Sequence, residues 1–285
     1  MSLQTAQAGK EASKKQAGKQ WRLEDIPYDK VDRSLVADDE FLFHTLAAAS
    51  FTEILAELYS DNLIAHFKGN AEIEAWLRHT WRLEEVQHGQ SLKKYVQTVW
   101  PDFDWERAYA AFQVEYGALC TSEQLESDRA LELVARCVVE TGTASFYKAL
   151  NNYAREPVLR QLVDHIRADE VAHYTHFRRY YTALDAVRQY GLGKVGATIL
   201  RRVAAIESED AYIAFKHAWI GHYPGRKFED KYWLQHSKAA KRLARNHYPF
   251  EMAVKMLMKP MPLSESFKKL LQWPLVGVAR LITFT

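Results

Sequence analysis

Two short segments of this chain share the pattern Glu-x-x-His, and each is preceded by an acid. They are Glu84–His88 (EEVQH) and Asp169–His173 (DEVAH). Both lie in stretches whose apolar residues recur with the period of a helix. Because residues three positions apart share a helix face, the carboxylate and imidazole of each segment can reach one metal ion. A single copy is weak evidence, since both residue types are common on solvated faces, but two copies predict one shared metal site.

Two further carboxylates complete the pattern. Glu140 is flanked by apolar residues, where an unpaired buried carboxylate is costly, so a cation is implied. On the first long helix Glu53 and Glu57 both qualify, because they are one turn apart and point to nearly the same side. Two lone Glu and two Glu-x-x-His form the ligand set of ferritin-like di-iron proteins, in which all six face the core of a four-helix bundle. The alternative for any one acid is an ordinary surface charge.

The predicted ligands are therefore Glu85, His88, Glu140, Glu170 and His173, together with one acid of the first helix. Carboxylates mixed with two imidazoles suit iron or manganese better than zinc. The acids beside the ligands, Glu84 and Asp169, are candidates to orient each histidine through its free ring nitrogen. Their alternative role is plain charge on a helix surface.

The pattern of apolar residues and breaks predicts an all-α fold. Only 12 Gly and 8 Pro in 285 residues favour long helices. We expect four long helices, at about 38–68, 71–100, 121–154 and 157–190, with a shorter one at 105–119. Three domains follow: a disordered tail at 1–20, a ferritin-like di-iron bundle at 21–193, and a helical extension at 194–285 that packs on the bundle and breaks at Pro260, Pro262 and Pro274.

Composition excludes several classes of protein. No run reaches the roughly 18 apolar residues of a membrane span, and the polar first twenty residues are not a secretory signal. Cys120 and Cys137 have neither metal-type nor redox-type spacing, which favours a reducing cytoplasm. The formal net charge of +2 gives no reason to expect a nucleic-acid partner.

The ligand segments resemble the soluble acyl-carrier-protein desaturase family. Residues 81–89 (WRLEEVQHG) resemble its Trp-x-x-Glu-Glu-x-x-His-Gly motif, and residues 168–173 (ADEVAH) resemble its Ala-Asp-Glu-x-x-His. Thr52-Glu53 followed by Tyr59 is similar to the family's first ligand helix, which favours Glu53 over Glu57. Glu140 with Thr143 resembles its Glu-x-x-Thr. The resemblance covers about residues 42–181, roughly half of the chain, and the region after 193 has no match to the family.

This resemblance implies a di-iron enzyme that uses O2 to attack an unactivated C–H bond of an acyl chain, giving an alkene or an alcohol. The acyl group would be carried by an acyl-carrier protein or by coenzyme A, or would be free. Electrons would come from a ferredoxin-type partner, and the protein would be a homodimer. Thr143 would lie beside the iron pair and take part in oxygen activation. The alternative for Thr143 is a hydroxyl that bonds back to its own helix.

Other functions share this ligand set. A radical-forming reductase subunit would have Tyr at Leu92, and an arylamine N-oxygenase would have His at Ile166, where this chain has His165 one residue out of phase. The pattern of aldehyde-deformylating oxygenases would favour Glu57 as a ligand. A non-enzymatic iron store, and a scaffold or membrane-surface protein built on a relic bundle, remain as further alternatives.

The C-terminal third carries an uneven charge. Between Arg226 and Arg280 there are twelve bases and four acids, a balance of +8 in a chain of net charge +2. The same stretch is rich in large apolar residues. Three interpretations follow: packing on the bundle or on a dimer partner, docking of an acidic carrier protein or ferredoxin, and peripheral contact with an anionic membrane.

Overall fold

A computed structural model describes residues 20–120, 125–205 and 209–284. Every regular element in these ranges is helical, so the fold is all-α as predicted. The predicted N-terminal tail lies outside the described ranges, apart from Gln20.

Seven helices form the first part of the fold, after three short 3-10 turns between Leu23 and Leu35. Their bounds are α1 (Glu40–Ile54), α2 (Ala56–His66), α3 (Ala71–Trp76), α4 (Arg82–Val99), α5 (Trp105–Gly117), α6 (Arg129–Tyr153) and α7 (Pro157–Arg188). One π-helical turn, Leu77–Trp81, joins α3 to α4, so the helix predicted at 71–100 is continuous but locally widened.

Five more helices follow α7 in the described residues. They are α8 (Leu192–Ala205), α9 (Glu209–His222), α10 (Asp230–His247), α11 (Phe250–Met258) and α12 (Glu265–Phe284). Three of them, α8, α10 and α11, contact α6, while α9 packs between α1 and α5. The last helix, α12, contacts α10 and α11. The C-terminal helices therefore lie against the bundle.

Capping residues explain two of the helix boundaries. Gly69 adopts a φ of 94°, a left-handed conformation that glycine tolerates, and the Asn70 side chain caps α3. Pro157 begins α7, and the Glu156 side chain accepts hydrogen bonds from the backbone N–H groups of Val158 and Leu159. Because both links are short, the chain reverses there and packs α1 against α4 and α6 against α7.

Three helix predictions were wrong. The first long helix is divided at the buried Leu55, where α1 and α2 meet at 41°. The helix expected from about residue 121 is not helical at residues 125–128 and begins at Arg129, where the Asp128 carboxylate caps its first turn, while residues 121–124 lie outside the described ranges. Pro274 does not break α12, although it has no N–H to offer the carbonyl of Leu270. That turn faces solvent, where water can satisfy the carbonyl.

The predicted ligands lie between two apolar clusters. One cluster contains Phe51, Leu92, Tyr147 and Ile166, and the other contains Leu63, Trp81, Val138 and Tyr174. Along each of the four chain segments that carry ligands, the ligands come after a residue of one cluster and before a residue of the other. The ligand side chains are therefore held at the middle of the bundle, with apolar packing above and below.

Among the described residues, no single helix combines the length and apolar character of a membrane crossing. Taken together, α1 and α2 satisfy that test of length and composition, but they are bent at 41°.

Gly89 sets the distance between α1 and α4. A Cβ atom at this position would lie 2.6 Å from the backbone nitrogen of Ile54 and 3.1 Å from the carbonyl carbon of Glu53. Backbone atoms cannot swing aside as a flexible side chain can, so any larger residue must push the two helices apart.

We therefore expect Gly89→Ala to destabilise the fold by about 1–3 kcal/mol through overpacking. Urea unfolding followed by circular dichroism measures this free energy. The matched control is Gly196→Ala in α8, where an added Cβ meets no atom within 4 Å. That variant should be neutral or stabilised by up to about 1 kcal/mol. Equal effects of the two substitutions would contradict the role assigned to Gly89.

Candidate metal centre

The structure brings all six predicted ligands together in the bundle core. Glu53 comes from α1, Glu140 from α6, and one Glu-x-x-His pair comes from each of α4 and α7. The six residues are between 0% and 8% exposed. Glu57, the alternative to Glu53, lies exposed on α2 outside this cluster. The bend after Ile54 separates the two acids, which a straight helix would place on nearly the same side.

Within the described residues, the cluster divides into two groups that can each hold a metal ion. The first group is Glu53, Glu85, His88 and Glu170, and the second is Glu85, Glu140, Glu170 and His173. In each group the candidate ligand atoms all lie within 4.8 Å of one another. Each group has its own histidine and its own lone glutamate, while Glu85 and Glu170 belong to both. The arrangement thus suits two neighbouring cations bridged by two carboxylates.

The two Glu-x-x-His segments are crossed in space. His88 of α4 places its Nε2 atom 3.0 Å from Asp169 of α7, and His173 of α7 places its Nε2 atom 2.8 Å from Glu84 of α4. The acid that precedes each motif therefore orients the histidine of the other motif. Glu84 and Asp169 were the residues expected in this role, and each holds the histidine on the opposite helix.

These contacts assign the ring protons. An ionised carboxylate can only accept a hydrogen bond, so each histidine donates from Nε2 and turns Nδ1 toward the cluster. There His88 Nδ1 lies 3.2 Å from Glu170 Oε1, and His173 Nδ1 lies 3.0 Å from Glu85 Oε1. Neither pair has hydrogen-bond geometry, and all four atoms are buried without a partner. Two facing lone pairs repel, so a proton or a metal ion must lie between them.

The buried carboxylates of the cluster favour the binding of positive charge, either protons or metal ions. Burial raises the pKa of Glu53 and the pKa of Glu140 well above the glutamate range, and neighbouring carboxylates raise both further. Burial alone would lower the pKa of His88, but the contacts with Asp169 and Glu170 outweigh it and raise that pKa well above 6.5. Protons and metal ions therefore compete for the same atoms, and metal affinity should rise with pH.

Thr143 points at the cluster from α6. Its hydroxyl lies 2.9 Å from Glu170 Oε2 and 3.3 Å from the carbonyl oxygens of Val139 and Glu140. The Thr143 hydroxyl is therefore within hydrogen-bonding distance of its own helix, as the alternative interpretation expected, but its shortest contact is to the carboxylate of Glu170. One hydroxyl proton can satisfy only one acceptor at a time, so a small rotation moves it between helix and site.

Two residues with no predicted role support the lone glutamates. Tyr147, fully buried one turn after Thr143, donates a hydrogen bond to Glu53, and Trp81 Nε1 donates to Glu140 at 3.3 Å. Trp81 belongs to the motif around Glu85, so the sequence contained a signal for it. For Tyr147 the only sequence signal was its spacing from Glu140. The two residues are seven positions apart, about two helical turns, so they share one face of the helix.

The segment before α1 covers one side of the site. Trp21 donates from Nε1 to Asp169 Oδ2 at 2.7 Å, and its ring stacks parallel to that of His88 at 6.1 Å between centroids. Gln20 donates to Glu84, so the segment contacts both of the orienting acids. A hydrogen-bonded path thus runs from Trp21 through Asp169 to His88. Nothing in the local sequence marks Trp21, because its partners lie far along the chain.

Several other candidates lie outside the cluster. His176, one turn beyond His173, is half-buried and stacks on Trp76 rather than joining the ligands. His165 stacks on Trp21, while the neighbouring Ile166 belongs to the apolar core. Leu92 is also fully buried in that core.

No protein-family model matches the chain, and no curated protein matches it. The site residues and their geometry therefore carry the functional argument. What they establish is a buried Glu and His cluster that can hold metal ions.

Loss of a shared glutamate should abolish metal binding by both groups. We expect Glu85→Ala and Glu170→Ala each to remove both metals, because each residue belongs to both groups. Elemental analysis after anaerobic loading with Fe(II) measures the stoichiometry, and circular dichroism checks the helical content. The matched control is Glu57→Ala, one turn beyond Glu53, which should retain full stoichiometry. Full metal content in either Glu85→Ala or Glu170→Ala would contradict the assignment.

Loss of an orienting acid should weaken binding without abolishing it. Asp169→Ala should lower metal affinity roughly 10- to 100-fold, the usual effect of removing such a partner from a ligand histidine. Competition with a chelator measures this affinity. Asp164→Ala is the control, since Asp164 is an exposed acid on the same helix, paired with Arg167. If both variants bound metal equally, the orienting role of Asp169 would be wrong.

Proposed function

We propose that this protein is a ferritin-like di-iron oxidase that uses O2 to attack an unactivated C–H bond of an acyl chain. The observation that carries the proposal is the pairing of two metal groups through Glu85 and Glu170, with Thr143 directed at one of the shared carboxylates. Four carboxylates and two imidazoles are hard and borderline donors that favour iron or manganese. The helix order of the ligands is that of ferritin-like di-iron proteins.

Iron bound here would supply the reduction of O2 and the oxidising power to break a C–H bond. Desaturation combines R–CH2–CH2–R′, O2, two electrons and two protons to give R–CH=CH–R′ and two waters. Hydroxylation combines R–H, O2, two electrons and two protons to give R–OH and one water. Both need an external electron donor, for which a ferredoxin-type protein is the proposed source.

The residues of this chain have separate tasks in the proposed reaction. The apolar clusters on both sides of the ligands exclude water from the site. Thr143 can hold or pass a proton at the carboxylate of Glu170. Trp21 and Asp169 fix the ring of His88. The acyl group is proposed to arrive on an acidic carrier protein.

Two related functions have weaker support. The ligand pattern of aldehyde-deformylating oxygenases favours Glu57 as the first-helix ligand, but Glu57 is exposed and lies outside the cluster. The N-oxygenase pattern needs a histidine at position 166, where Ile166 packs in the apolar core. An acyl C–H oxidase therefore agrees better with the residues around the ligands.

The direct test is product analysis under ¹⁸O₂. Protein loaded with Fe(II) is incubated with a ferredoxin, its reductase and a panel of acyl-carrier proteins, and the acyl chains are analysed by mass spectrometry. An alcohol that carries ¹⁸O indicates hydroxylation, and an alkene without ¹⁸O indicates desaturation. Glu170→Ala is the control and should give neither product. Oxidation and retention of many irons per chain, with no acyl product, would instead indicate iron storage.

Thr143 provides a second test, because its role is separable from metal binding. Thr143→Ala should retain both irons but lose roughly 10²- to 10⁴-fold in product formed, with more peroxide released per O2 consumed, as removal of a positioned proton donor implies. Thr143→Ser keeps the hydroxyl and should restore most of the coupling between O2 and product. If turnover and peroxide release were unchanged in Thr143→Ala, the Thr143 hydroxyl would serve only as a hydrogen-bond donor to its own helix.

A further inference from the structure

The last helix, α12, presents an apolar face to solvent. Leu270, Trp273 and Leu281 are 69%, 67% and 66% exposed, and Val278 is 50% exposed. On the opposite face, Val276 is 3% exposed and packs with Phe250, Val254 and Met258 of α11. The helix therefore has apolar residues on both sides, and only one of those sides is used for packing. An ordinary surface helix would carry polar residues on the outward side.

The exposed apolar residues follow the helical repeat. Leu270, Pro274, Gly277 and Leu281 are spaced by four, three and four residues, so they form one line along the outward side of α12. Trp273 lies beside this line, and the exposed bases Lys269 and Arg280 flank it on the same edge. Trp and Lys or Arg beside an apolar stripe are typical of helices that lie in the surface of a bilayer.

The neighbouring helix adds positive charge. In α10, which contacts α12, Lys238, Lys241 and Arg242 are exposed and have no acidic partner among the described residues. Only one acid, Asp230, lies in α10, and it accepts a hydrogen bond from Tyr212. Exposed bases without an acidic partner, on a helix that contacts the one with the apolar line, favour a partner that offers both hydrocarbon and negative charge.

We propose that the outward face of α12, together with the bases of α10, docks on an anionic lipid bilayer. This inference is independent of the metal site. A symmetric contact with a second copy of the chain would set this basic patch against itself and would bring it no excess of negative charge. An acidic carrier protein would satisfy the bases, but Leu270, Trp273 and Leu281 project into solvent instead of lining a groove that could receive a folded partner. A bilayer satisfies both, because acyl chains receive the apolar line and phosphate headgroups receive the bases.

Flotation with vesicles tests the proposal on the whole protein. We expect binding to vesicles of phosphatidylcholine mixed with phosphatidylglycerol at low salt, and much weaker binding to phosphatidylcholine alone. Binding to the anionic vesicles should fall as salt screens the charge, since the screening length is about 3 Å at 1 M salt. No binding to anionic vesicles at low salt, or equal binding to both compositions, would overturn the proposal.

Two sets of variants separate the apolar and charged contributions. Trp273→Ser with Leu281→Ser should weaken binding on the order of 10- to 100-fold, because two large side chains no longer enter the bilayer. Lys238→Glu with Lys241→Glu should weaken it roughly tenfold or more. Val114→Ser removes an equally exposed apolar residue, 79% exposed on α5, and should bind as the unchanged protein does. Because the charge pair leaves apolar packing untouched, it tests the proposal even if the apolar pair fails to fold.

Other occupants would give other results. If the bases bound an acidic acyl-carrier protein and not vesicles, in a manner lost in the Lys238→Glu and Lys241→Glu variant, the surface would be a protein-docking site. If the chain formed dimers that the Trp273→Ser and Leu281→Ser variant abolished, the surface would be a contact between copies. Either result would overturn the bilayer assignment.

Discussion

The fold depends on burying four carboxylates at one point. Glu53, Glu85, Glu140 and Glu170 lie within the same small volume, each less than a tenth exposed. In water these groups would be separately hydrated, and in an apolar core an uncompensated set of negative charges cannot persist. Two divalent cations would match the four negative charges, with both histidines neutral. Without them, protons must take the same places, which is why the pKa values of Glu53 and Glu140 rise.

Two features of the surrounding structure fix the positions of these carboxylates: the apolar packing around them and the hydrogen bonds between α4 and α7. Apolar clusters above and below the ligands keep water away, and the close approach at Gly89 brings α1 and α4 near enough to share a site. The crossed contacts, Asp169 to His88 and Glu84 to His173, join α4 to α7 directly. Each of these two helices therefore supplies the acid that orients the histidine of the other.

The helical repeat made the ligand set predictable. A Glu and a His three residues apart must share a face, so spacing together with the apolar surroundings of Glu140 predicted five of the residues and narrowed the sixth to Glu53 or Glu57. The bend at Leu55 and the contacts of Trp21 were not predictable in this way. No Gly or Pro marks the bend, and Trp21 meets Asp169 across 148 positions of sequence. Both depend on tertiary packing. The end of the first helix also decided between Glu53 and Glu57, a choice that local spacing alone left open.

The crossed arrangement has a consequence for how metal enters the protein. Glu85, Glu170 and His88 would hold a first ion, and because they belong to both α4 and α7 that ion would fix the two helices against each other. A second ion would then find its ligand atoms already ordered, so the protein would lose less conformational entropy when it binds. Loading should therefore be positively cooperative, so that half-filled molecules are scarce at equilibrium and the chain passes from empty to doubly filled over a narrow range of free metal.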